Sequence, residues 1–197
     1  DFPGMQDVMR YVLCATAPES KDNDFTWKDF QTRNNSELVG IYGNFINRVV
    51  VLTNKHYDGC VPERGLLTDD DRQVISELKL FPTKIAKSIE AYRYREALME
   101  VMNLARLGNK YLADEEPWKL VKTDEVRTKT IMNIALQIAA NLSVVSEPFM
   151  PFSSHKLAFM LGFDEPSWKD AGSDALLEAG SKIESAQLLF RKIEDSE

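Results

Sequence analysis

Sulfur and imidazole are scarce in this chain. Its two cysteines, Cys14 and Cys60, stand far apart with no CxxC pair, so the sequence supports neither a disulfide framework nor a tetrahedral zinc site and points to a reducing compartment. The two histidines, His56 and His155, carry no ExxH or HExxH spacing, which removes the ligands of a dinuclear carboxylate centre or a zincin. No glycine-rich GxxxxGKS, GxxxxGKT or GxGxxG turn is present to cradle phosphate, and Gly40 and Gly43 fall inside a helical pattern where they are expected to permit close packing. Apolar runs such as Val49-Val50-Val51-Leu52 fall far short of the ~20 residues of a membrane span, and no basic segment with an apolar signal core opens the chain. Cys14, among Val12, Leu13 and Ala15, reads as core, and Cys60 follows a turn without the His and Asp constellation that would mark a nucleophile. No catalytic residue is assigned. Positive charge is also short: 24 Lys and Arg against 31 Asp and Glu leave a formal charge of -7, which argues against broad coating of DNA. Any nucleic-acid site must be local.

What is present is helical periodicity. The 197 residues are 44% hydrophobic and 28% charged, ordinary globular usage with room for a sizeable core. The chain opens at Asp1 and runs straight into a helical pattern, which reads as a piece of a longer protein. A short helix over about 6–16 precedes a breaker-rich loop, Pro18 to Asp24, and Thr26 caps a helix running from Trp27 to about Tyr57, with a break expected near Asn34-Asn35-Ser36. Leu38, Ile41, Phe45, Val49 and Leu52 form its expected core face. Thr68-Asp69-Asp70-Asp71 reads as the cap of a helix from about 70 to 92 that Pro82 should kink or divide. A further helix follows over about 93–113, with Leu98, Val101, Ala105, Gly108 and Leu112 on one stripe. Beyond the turn Asp114 to Trp118 comes a long amphipathic helix over about 124–146, then a short one from Phe152 to Leu161 and a loose tail. The fold class is all-α: an antiparallel bundle of about five principal helices with a short irregular C-terminal tail.

One polar set stands out. Asn44 and Arg48 are one turn apart on the flank of the long early helix, with Lys55 on the same stripe. An amide that donates and accepts beside a forked donor suits base edges or phosphate, although the simpler reading of an Arg on a helix flank, and the usual one, is a solvated or carboxylate-paired side chain. Trp118 after Pro117 could fill a core edge or offer an aromatic face to an unstacked base. Asn109 reads as an amide satisfying a neighbouring turn, and Trp27 and Trp168 as packing residues.

These residues sit in stretches that resemble the anticodon-binding domain of methionyl-tRNA synthetases. Asp24-Phe25-Thr26-Trp27-Lys28-Asp29-Phe30 resembles that family's D-F-S-W-x-x-F, and Gly43-Asn44-Phe45-Ile46-Asn47-Arg48 its G-N-x-x-N-R helix. Asn109-Lys110-Tyr111 through Pro117-Trp118 is similar to N-x-Y-x(5)-P-W, and Glu147-Pro148-Phe149-Met150-Pro151 to its x-P-F-M-P turn. Asp7-Val8-Met9-Arg10-Tyr11 is similar to D-A-L-R-Y, and Leu189-Phe190-Arg191-Lys192-Ile193-Glu194 to L-F-P-R-I-E, with Arg191 where Pro is usual.

The resemblance implies the non-catalytic part of a cytoplasmic methionine-tRNA ligase, with ATP, magnesium and in some members zinc belonging to a catalytic half that this chain lacks. It divides the chain into the end of a stem (1–16), a helical anticodon-binding bundle (17–165) and a tail packing back on the bundle or the catalytic half (166–197). It implies initiator and elongator methionine tRNAs and the catalytic half as partners, with no membrane and no DNA. Trp118 would stack under the first base of a CAU anticodon, and Asn44 and Arg48 would bond base edges. Asn109 would support them, and Lys55 and Lys119 would contact phosphate. The rival expectation is a helical protein-interaction scaffold without RNA specificity, in which Trp118 and Arg48 are packing and surface residues.

Overall fold

The computed structural model describes residues 4–19, 22–163 and 166–195; part of the Pro18 to Asp24 loop, and Asp1 itself, lie outside them. Among the described residues the chain forms α1 (Gln6–Ala15), α2 (Trp27–Arg33), a π-helical segment (Asn34–Gly43) and α3 (Asn44–Tyr57). Beyond these lie α4 (Asp69–Leu78), α5 (Phe81–Glu90), α6 (Tyr94–Glu115), the single turn α7 (Pro117–Leu120), α8 (Glu125–Ser146) and α9 (Pro151–Met160). The all-α bundle expected from periodicity is what forms. No helix among the described residues is long and apolar enough to cross a membrane.

Local chemistry sets the boundaries. The Thr26 hydroxyl accepts from the Asp29 N–H to start α2, and Thr68 and Asp71 form a reciprocal capping box at the start of α4. Pro82 divides the expected 70–92 helix. It lacks an N–H and its ring would clash with the carbonyl four residues back, that of Leu78, so α4 ends there and Pro82 falls in the first turn of α5.

From Trp27 to Tyr57 the chain stays helical, but it widens to π geometry over ten residues instead of breaking at Asn34. That shift corrects the expected core face. Leu38, Phe45 and Val49 are buried as predicted, whereas Ile41 and Leu52 are only half-buried, and Tyr42, Ile46, Val50 and Thr53 take the interior positions. The need for glycine here is also local: a Cβ on Gly40 or Gly43 would come within 3.2 or 3.1 Å of the Asn35 or Leu38 carbonyl oxygen of the same segment.

α6 packs against α5, α8, α1, α3 and the π segment and forms one wall of the core. α8 is not amphipathic as its sequence reads. Every residue from Thr130 to Ser146 is buried, because the C-terminal segment covers the face that would otherwise meet water. The polar residues on that face bind backbone. Gln137 exchanges two hydrogen bonds with Leu177, at 2.9 and 3.0 Å; Asn141 donates to the Ser173 carbonyl and accepts from the Gly172 N–H; Asn133 donates to the Pro62 carbonyl.

The tail is therefore irregular but not loose. The Ile183 N–H donates to the Gly59 carbonyl and the Asn34 amide to the Arg191 carbonyl, and Phe190 packs edge-on against Tyr42 at 5.7 Å. Trp27 and Trp168, expected to pack, remain 58% and 37% exposed, Trp27 lying edge-on to Phe25 and Phe30.

Candidate nucleic-acid interface

The site begins where α3 and α6 come closest. Gly108 on α6 receives the fully buried ring of Phe45, and that contact sets Asn44, the first residue of α3, beside Asn109. The Asn44 amide donates to Asn109 Oδ1 at 3.1 Å, while Asn109 Nδ2 donates to the Ile41 carbonyl at 2.9 Å and the Ala105 carbonyl at 3.2 Å. The Asn109 amide thus bridges the π-helical segment, its own helix and Asn44, and the carbonyls it serves are helical ones, not those of the neighbouring turn its residue type suggested. Asn44 is exposed, and its amide oxygen has no partner among the described residues.

One turn along α3, the Arg48 guanidinium lies over the Trp118 ring, with its central carbon 4.8 Å from the centroid. No described carboxylate pairs with Arg48. Trp118 is held by its turn: Glu116 adopts a left-handed conformation with φ 44, ending α6, and the buried Pro117 opens α7 with its φ fixed by the ring. The indole keeps 38% of its surface exposed. Four residues from three helices are therefore brought together: Asn44 and Arg48 from α3, Asn109 from α6 and Trp118 from α7.

The two lysines are placed differently. Lys55 is exposed on α3, seven residues beyond Arg48 and about 10 Å farther along the axis. Lys119 is exposed but pairs with Glu116 at 2.7 Å, so its charge is largely answered within its own turn.

Behind Trp118 lies a charged network that sequence reasoning did not find. Asp71, whose side chain is fully buried, receives two hydrogen bonds from Arg127, at 2.5 and 3.0 Å, one from the Tyr111 hydroxyl at 2.6 Å and one from the Thr68 N–H at 2.9 Å. Arg127 also reaches Glu115, the last residue of α6, at 2.7 Å. Burial by itself would raise the Asp71 carboxyl, but the bonds from Arg127 and Tyr111 outweigh it and hold the group below its ordinary range. Burial, with Asp71 alongside, pushes the Tyr111 phenol up. The sequence signal that existed was the Thr68 to Asp71 cap, which gives no hint of a partner 56 residues away.

Comparison with known proteins follows the same line. Residues 61–197 match the family described as the anticodon binding domain of methionyl tRNA ligase, and residues 4–50 match class I tRNA synthetases of the methionine type. The chain belongs to the methionyl-tRNA ligase anticodon-binding family. Within that family, the methionine–tRNA ligase of Christiangramia forsetii is 64% identical over 204 residues, covering all of this chain and 30% of the relative. That of Cytophaga hutchinsonii is 61% identical over 196 residues, covering all of this chain and 28% of the relative. The chain thus spans about 30% of the length of these curated relatives. The apo crystal structure of Mycobacterium tuberculosis methionyl-tRNA synthetase superposes with a TM-score of 0.86 at 22% identity, over 95% of this chain and 39% of that one, and establishes the shared fold. Membership of the family removes the support for the scaffold reading.

Proposed function

We propose that this chain recognises the CAU anticodon loop of initiator and elongator methionine tRNAs, as the non-catalytic part of a cytoplasmic methionine-tRNA ligase. The observation that carries the reading is the cluster of an exposed indole, a guanidinium without a carboxylate partner and a half-committed amide, all on one side of the bundle. Trp118 stacks on the first anticodon base. Arg48 and Asn44 hydrogen-bond to base edges, Arg48 as a donor and Asn44 through its open amide oxygen, Asn109 fixes Asn44, and Lys55 and Lys119 approach phosphates, Lys119 by exchanging Glu116 for the RNA. In this reading 1–16 is the end of the stem, 17–165 the reading bundle and 166–197 the tail.

Bond-making falls to the rest of the protein. In this reading ATP, magnesium and, in some members, zinc belong to the catalytic half, as the family resemblance implies.

The test pairs thermal unfolding with titration of CAU and scrambled stem-loops on Trp118→Ala and Arg48→Ala. Stacking one base on an aromatic ring contributes about 1–3 kcal/mol, so Trp118→Ala should weaken CAU binding by roughly 5- to 150-fold with little change in unfolding. A severe loss of stability in Trp118→Ala, with the CAU preference kept, would make Trp118 a packing residue and defeat the assignment.

A further inference from the structure

The turn that presents Trp118 leaves the bundle at Glu115 and returns at Glu125. Its internal bonds are local: the Lys119 N–H donates to the Glu116 carbonyl, that of Val121 to Pro117, and those of Thr123 and Asp124 to Leu120. Such bonds shape the turn without fixing its angle to the bundle. Pro117 is buried and Leu120 packs against the core, which seats the turn. What closes its base is a side chain from beyond it. Arg127, in the first turn of α8, reaches back across the excursion to Glu115, and the same guanidinium is held on α4 by the buried Asp71. Closing a short loop at its two ends removes most of the conformations it could otherwise visit.

We propose that Glu115 is a positioning residue for anticodon recognition: by pairing with Arg127 it clamps the base of the 116–124 excursion and fixes the orientation of Trp118 beneath Arg48. The inference rests on the reading of Trp118 as a base-stacking residue. The charge arithmetic of the cluster separates this role from fold stability. Two carboxylates, Asp71 and Glu115, face one guanidinium, so removing Glu115 leaves Arg127 and Asp71 as a balanced, doubly bonded pair with no buried charge unanswered. Removing Asp71 would do the opposite. Tyr111 gives a further contrast, because its hydroxyl bonds Asp71 but makes no described contact with the excursion.

The experiment uses the 197-residue chain labelled with 5-fluorotryptophan. Its three tryptophans give separate 19F resonances, that of Trp118 being assigned by its loss in Trp118→Phe. Glu115→Ala is expected to shift or broaden the Trp118 resonance and leave those of Trp27 and Trp168 in place. It should also reduce the preference for CAU over a scrambled stem-loop by about tenfold, within the range set by one stacked base, while the melting temperature changes little. Glu115→Gln, which keeps an acceptor oxygen for Arg127, should recover part of the preference. Tyr111→Phe should lower the melting temperature while keeping both the Trp118 resonance and the preference. An unchanged Trp118 resonance in Glu115→Ala overturns the proposal. So does a loss of preference that follows the loss of stability equally in Glu115→Ala and Tyr111→Phe. If the unmodified chain shows no CAU preference, the anticodon reading fails, and the 19F spectrum still decides whether Glu115 positions Trp118.

Discussion

Replacing Gly108 by alanine tests the contact on which the candidate interface is built. A Cβ at Gly108 would lie no more than 2.7 Å from Cε1, Cε2 and Cζ of Phe45, and ordinary contact begins near 3.4 Å, so the ring must retreat by about 1 Å. It has nowhere free to go. Phe45 is fully buried, with Leu38, Tyr42 and Val49 equally enclosed on the same stretch of helix. Overpacking of this kind costs typically 1–3 kcal/mol, and a three-atom overlap belongs at the upper end. Alanine in place of glycine inside a helix returns about 1 kcal/mol of propensity. The net destabilisation should be roughly 1–2 kcal/mol, a fall of roughly 2–8 °C in melting temperature for a chain of this size, read by calorimetry. Phe45→Leu should relieve the overlap, giving a coupling of about 1 kcal/mol or more in a double-mutant cycle. The same displacement would stretch the 3.1 Å bond between Asn44 and Asn109, so CAU affinity should fall in Gly108→Ala and recover in the double mutant. A Gly108→Ala chain as stable as the original, with effects additive to those of Phe45→Leu, would refute the argument.

Other changes separate the remaining features. Because the folded state holds the Asp71 carboxyl below its ordinary value of 3.8, its contribution should be full above that value and disappear as pH falls through the lower folded value. Urea midpoints at pH 7 and pH 3 should differ more for the original chain than for Asp71→Asn, and equal differences would remove Asp71 from the acid response. Gln137→Leu would leave the buried N–H and C=O of Leu177 without partners, at about 1–3 kcal/mol for each group; a melting temperature within 1 °C of the original would show that water replaces the amide. Asn109→Ala should release Asn44 and lower the CAU preference more than it lowers general affinity for RNA, and a uniform loss over all loops would assign Asn109 to packing alone.

Much of the fold was legible because helical period, capping residues and proline positions are local signals. Thr26, Thr68 and Pro82 each act where the sequence places them. The amphipathic reading of α8 failed for a non-local reason: Gln137 and Asn141 look like a wet face until the tail's carbonyls and N–H groups are known to lie against them, and Asn133 until the Pro62 carbonyl is. Asn44, Arg48, Asn109 and Trp118 could be singled out by residue type and by resemblance, but their meeting depends on Phe45 entering the space left by Gly108, which no spacing rule reports. The partners of Asp71 were invisible because Arg127 lies on another helix and the acidic triplet already had a sufficient explanation as a cap.

The widened stretch between Asn34 and Gly43 acts as a phase setter for all that follows it on the same rod. Each residue gained or lost there turns α3 by roughly 100° about the helix axis. A single deletion that let the segment relax to ordinary α geometry would keep Asn44 and Arg48 in the chain, unaltered and four residues apart, yet carry them away from Asn109 and Trp118. Alignments that score only residue identity would find the motif intact on a helix that no longer presents it. Gaps within these ten residues therefore carry more information about anticodon reading than most substitutions beside them.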